Sequence, residues 1–84
     1  MEEKKLQAFG KNLKQLRKKY GFTQESLAAA AGLDLSHIAR METAKRNPKL
    51  TTLMALAHAF GISFSELMDF KVPARTKDRT GGSN

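Results

Sequence analysis

The chain contains no cysteine, so neither a disulfide framework nor a thiolate metal site can hold it together, and its stability rests on packing. No apolar run is longer than a few residues. That leaves no segment suited to span a bilayer, and the opening, MEEKKLQAFGKN, lacks the apolar stretch that a secretory signal places after its basic residues. The expectation is a cytoplasmic protein that does not enter the membrane. Paired acid and base side chains, a nucleophile beside an oriented base and a phosphate-binding glycine loop are all missing, which argues against an enzyme. The histidines are two, His37 and His58. Without a third ligand beside them, neither a metal site nor any other cofactor is expected. Acidic residues are also scarce, 8 against 15 Lys and Arg in 84 residues, for a formal charge of +7.

A chain of this length forms one small domain with a modest core, and its excess of cations favours a polyanionic partner. The distribution of charge is more informative than the total. Residues 1–49 hold eleven Lys/Arg and five Asp/Glu, residues 50–70 hold no Lys or Arg and two acids, and residues 71–84 hold four cations and one acid. One half of the chain is therefore suited to meet an anion, and the span from Leu50 to Phe70 to meet protein.

Periodicity predicts helices throughout and no strand. Leu6, Phe9, Leu13, Leu16 and Tyr20 recur at the spacing of an amphipathic helix with lysines between them, and Gly21 ends it. Thr23 is a suitable N-cap for a second helix from Gln24 to Ala31, with Ser26 in place of the acid of a full capping box. Ala28, Ala29, Ala30 and Ala31 favour helix and have almost no side-chain volume, so a neighbour can come close. Gly32 stops that helix, and Asp34 is placed to cap a third, Leu35 to Thr43. AKRNPK reads as a loop. A fourth helix runs through Leu53, Leu56, Ala57 and Phe60 to Gly61, and Ser63 with Glu66 forms a capping box for a short fifth. The fold expected is all-α, five helices in one domain over residues 1–70, followed by a mobile basic tail over 71–84.

Counted from Gln24, the unit holds Leu27 fourth, Ala28 fifth, Gly32 ninth, Leu33 tenth, Ile38 fifteenth and Met41 eighteenth. Two helices crossing steeply around a tight turn need this pattern: a small residue at the crossing, glycine in the turn, and larger apolar residues sealing the pair below. With these positions, the text LRKKYGFTQESLAAAAGLDLSHIARMETAKRNPKLTTLMALAHAFGISFSELM resembles the phage-repressor-like helix-turn-helix proteins, the Cro and lambda-repressor type. The likeness covers nearly all of the expected folded part, and small stand-alone members of the family include restriction-modification controllers.

The resemblance implies a homodimeric regulator of transcription that binds double-stranded DNA at a near-palindromic operator, with the third helix in the major groove. It implies base contacts near the start of that helix, from Ser36, His37 and Arg40, with Thr43 at its end. It assigns Gln24 to the DNA backbone and to bracing the third helix, and Lys45, Arg46 and Asn47 to a phosphate clamp. Arg17 and Glu42 match a structural ion pair between the first and third helices. Two positions depart from the family. Position 35, often polar there, is Leu, which either touches a thymine methyl or packs locally. Position 44, often Gly, is Ala, so the third helix either runs on or closes differently. The apolar group Phe60, Ile62, Phe64, Leu67, Met68 and Phe70 is either wholly internal or, as the family favours, partly a two-fold interface; Ile62, Phe64, Leu67, Met68 and Phe70 are its candidates. The alternative function is an antitoxin or adaptor that holds a protein such as RNA polymerase or a toxin, with DNA contact secondary.

Overall fold

The computed structural model describes residues 3–72. The amphipathic stretch near the start forms α1 (Glu3–Lys19), which places Phe9, Leu13 and Arg17 on its buried face. Tyr20 falls in the turn after it. The residue is over a third exposed, but its ring lies tilted against that of Phe60 at 5.6 Å between centroids. The helix-favouring alanines follow in α2 (Gln24–Ala31). Its capping box is closed by two hydroxyls: Thr23 Oγ1 accepts from the Ser26 N–H at 2.9 Å, and Ser26 Oγ accepts from the Thr23 N–H at 2.9 Å. A serine thus supplies the return bond that usually comes from Glu.

Gly32 ends α2 at φ 71°, where the Leu33 N–H reaches the Ala28 carbonyl at 2.8 Å. A residue with a side chain would be strained there, and glycine is not. The chain then enters α3 (Leu35–Glu42), whose Ile38 and Met41 are completely buried. Two local expectations are corrected at this helix. Asp34 occupies the N-cap position but makes no side-chain capping bond, and the helix ends at Glu42 instead of Thr43. Thr43 turns its hydroxyl back to donate to the Ala39 carbonyl at 2.9 Å. Ala44 then takes φ 62°, the conformation that glycine holds at the ends of α2 and α4. The third helix closes sharply through an alanine.

α4 (Leu50–Phe60) and α5 (Phe64–Leu67) complete the domain. Ser63 and Glu66 form the capping box of α5. Leu13, Leu27, Ile38, Met41, Leu56 and Leu67 have no exposed surface and form the centre of the core. Each such side chain withdrawn from water contributes about 1.5–3 kcal/mol. Asn12 Nδ2 ties α1 to the end of α5 by donating to the Leu67 carbonyl at 2.8 Å. This satisfies one of the carbonyls that a helix end leaves free.

Leu67 therefore differs from its assignment to an interface. It is a core residue, because the single turn of α5 packs that side against α4 and leaves Phe64 outward. Leu50 and Met54, 62% and 55% exposed on α4, present apolar surface that helical spacing alone does not reveal. Among the described residues there is no strand, and no helix is long and apolar enough to cross a membrane. The basic tail, beyond Lys71 and Val72, lies outside the described residues.

Candidate nucleic-acid interface

α3 has two sides because its buried anchors alternate with polar residues. Ile38 and Met41 hold it from beneath, while Ser36 and Arg40 stand fully on the outside and His37 lies half-buried at the margin. Ala28, itself buried, lets α2 come close enough for this turn to be tight. A helix carrying hydroxyl, imidazole and guanidinium groups on one exposed side has the donors and acceptors that base edges present in a major groove.

The far end of α3 is clamped to the rest of the domain. The Glu42 carboxylate accepts from Arg17 Nε at 2.6 Å and Nη2 at 3.2 Å, and Arg17 Nη1 donates to the Phe22 carbonyl at 3.1 Å. Gln24 Nε2 donates to Glu42 Oε1 at 3.1 Å. A two-pronged guanidinium–carboxylate pair fixes orientation as well as distance. The first residue of α2, the end of α3 and the buried face of α1 are thus joined at one carboxylate.

Beyond α3, Lys45, Arg46 and Asn47 are all exposed on the loop to α4. Lys49 follows at the N-cap of α4, which has no side-chain capping bond. His37 lies within the field of this loop. Partial burial holds its imidazole below the ordinary value of 6.5; Arg46 lowers it further, Asp34 opposes, and Lys49 adds to the lowering. Cations crowded at this point suit an anion from outside the chain.

The structure thus gathers Ser36, His37, Arg40, Lys45 and Arg46 along α3 and its exit loop, with Gln24 joined through Glu42. Thr43 is exposed, but its hydroxyl already donates inward. Leu35 is 43% exposed and faces the cleft toward α2. Lys49 belongs electrically to the same group, although sequence alone marked it only as a loop residue. Its signal was its place directly before α4. His58 is exposed on α4 in a different element, and among the described residues no three His, Asp or Glu side chains group as a metal site.

A family model described as helix-turn-helix matches residues 13–67. Control protein C.MunI of a Mycoplasma species is 43% identical over 60 residues, which span 70% of this chain and 81% of that protein. An uncharacterized HTH-type transcriptional regulator of Sinorhizobium fredii, y4dJ, is 39% identical over 59 residues, 70% of this chain and 77% of its own length. Among solved structures, the restriction-modification controller protein C.AhdI from Aeromonas hydrophila superimposes with a TM-score of 0.74 at 39% identity, over 76% of this chain and 97% of that one.

Proposed function

This chain belongs to the helix-turn-helix family, and from that premise we propose that it is a DNA-binding regulator of transcription that recognises a near-palindromic operator as a homodimer. The observation that carries this proposal is the division of α3. Its apolar side is completely buried at Ile38 and Met41, and its outer side offers Ser36, His37 and Arg40 beside the cations of the following loop. In this role Ser36, His37 and Arg40 meet base edges, and Thr43 stands at the limit of the contact. Gln24, Lys45, Arg46 and Asn47 engage phosphates, which set register and affinity without choosing sequence. The role is one of binding, without catalysis or cofactor, in the cytoplasm where the genome is reached. The relatives named as controllers and transcriptional regulators support the same role.

Dimerisation is supported by the apolar surface left at the C-terminal end: Phe64 is 41% exposed, and Ile62, Met68 and Phe70 are only partly buried. Two copies joined there present two α3 helices, and half-sites one turn of DNA apart, about 34 Å, accept them. In this arrangement residues 1–70 are the binding and dimerisation domain, and the basic tail from 71 onward adds nonspecific attraction to phosphate.

Selection of binding sites from random duplex DNA, followed by competition with scrambled DNA, tests the proposal. The expected result is a symmetric site that scrambled duplex displaces poorly; equal displacement by both would refute sequence-specific binding. A protein-holding adaptor is the second proposal, favoured by the exposure of Leu50 and Met54. It predicts a stoichiometric protein partner, with DNA contact secondary to it.

A further inference from the structure

We propose that Leu35 is a specificity-determining residue that reads the C5-methyl group of a pyrimidine at the major-groove edge; this rests on the placement of α3 in that groove proposed above. Leu35 is the first residue of α3 and keeps 43% of its surface exposed, whereas Leu27 and Leu56 keep none. Among the exposed residues of α3, otherwise Ser36 and Arg40, the leucine offers no hydrogen bond to a base. What it offers is an apolar contact.

The setting narrows the ligand. Leu35 forms one wall of a shallow cleft whose opposite side is the entry to α2, with Phe22, Thr23, Gln24 and Glu25 along it and Arg17 at its base. Phe22 and Leu35 are the apolar members of this cleft, and Arg17, Thr23, Gln24 and Glu25 make the rest of it polar. The Gln24 amide is not free to wander, because its nitrogen is bonded to Glu42. The Thr23 hydroxyl is also engaged, within the capping box. A backbone phosphate at the start of α2 is favoured by the helix dipole and its first N–H groups. The base edge beside that phosphate then faces the first residue of α3 across the cleft. The group that suits a leucine wall with a polar rim is a methyl flanked by an exocyclic oxygen or amine. Among bases, that describes the C5-methyl of thymine or of 5-methylcytosine. A leucine cannot distinguish these two by hydrogen bonding, so the methyl itself is the recognised feature.

The test uses the full chain and its best selected duplex. Each thymine is replaced in turn by deoxyuridine, which removes one methyl and leaves pairing intact, and the affinity is measured. The expected result is one position per half-site where the loss is about fourfold, the value of one methyl group removed from contact. Leu35→Ala should bind the thymine and uracil duplexes alike. If that variant loses its helical circular dichroism, Leu35→Gln keeps the stem and should also lose the methyl effect. At the same position, 5-methylcytosine binding more tightly than cytosine would make the modified base a second source of the contact. Equal binding of the two would show that the methyl by itself is not what Leu35 reads and would count against the proposal. The proposal is overturned if uracil weakens binding nowhere, or if the loss is as large in Leu35→Gln as in the wild type. Selection that yields no preferred duplex overturns the placement of α3 itself, and this inference with it.

Discussion

Gly10 of α1 lies directly beneath the end of α3: a methyl group on its Cα would stand 2.7 Å from the carbonyl oxygen of Glu42 and 2.7 Å from that of Met41. Both opposing atoms are backbone, so neither can swing aside. A glycine inside a helix costs about 1 kcal/mol relative to alanine, and here the cost accompanies the close crossing of α1 and α3. Gly10→Ala should therefore lose more by overcrowding, about 1–3 kcal/mol, than it gains in helix preference. Urea unfolding is expected to give a lower midpoint with unchanged slope. A raised midpoint would mean that the crossing yields easily.

The same Glu42 carries the most connected polar contact of the domain. Its side chain is 3% exposed and that of Arg17 is 11% exposed. Removing one partner strands a charge in a poorly solvated place, and Arg17→Met or Glu42→Leu should each cost about 3–5 kcal/mol. The double variant should be more stable than the additive sum. Denaturant titration of all four proteins checks this, and strict additivity would show that the pair is uncoupled.

Ala44 at φ 62° carries strain that glycine would not. The left-handed conformation costs an L-residue about 1–2 kcal/mol, and glycine gives back part of that through its freer unfolded chain. Ala44→Gly is expected to stabilise the fold by about 0.5–1 kcal/mol, read as a rise in melting temperature. A fall would show that the Ala44 methyl makes a compensating contact.

His37 is expected to link pH to folding and, in the proposed DNA complex, to binding, with opposite signs. Its imidazole is held below 6.5 by partial burial and by Arg46 and Lys49, against the pull of Asp34. The unfolded chain therefore takes up this proton more readily than the folded one. The stability from His37 is complete above about pH 6.5, declines as pH falls from there toward the lowered folded value, and is level below it. A DNA phosphate nearby has the reverse effect, because it favours the imidazolium. Duplex affinity should rise over the same interval in which stability falls. Both slopes should vanish in His37→Gln; an unchanged affinity slope in that variant would assign the proton elsewhere.

The surface at α5 and the core side of α5 should separate by experiment. Phe64→Asp together with Met68→Lys is expected to give a folded monomer in sedimentation. Leu67→Ala, which empties a completely buried position, should instead cost about 2–5 kcal/mol of stability. A double variant that sediments as the wild type does would remove the C-terminal surface from any two-fold contact.

Much of the fold was legible because its signals are local. Gly21, Gly32 and Gly61 end helices, Thr23 and Ser63 begin them, and the three- and four-residue spacing of Leu6, Phe9 and Leu13 marks a helix whatever lies beyond it. Asp34 misled because residue type marks where a cap can stand, and the residue stands there without making the capping bond. Gly10 carried no local message at all, since its reason is a backbone far away in the chain.

The sequence by itself determined the five helices, the small crossing residue and the turn, because propensity, capping and periodicity act over a few residues. It also determined which side of α3 is apolar. Only the tertiary structure decided that Leu67 is core while Phe64, Leu50 and Met54 face outward. It alone decided too that Gln24, Arg17 and Phe22 meet around Glu42. Burial and convergence depend on what packs against a helix from elsewhere in the chain, and a periodic pattern names the apolar side without naming what covers it.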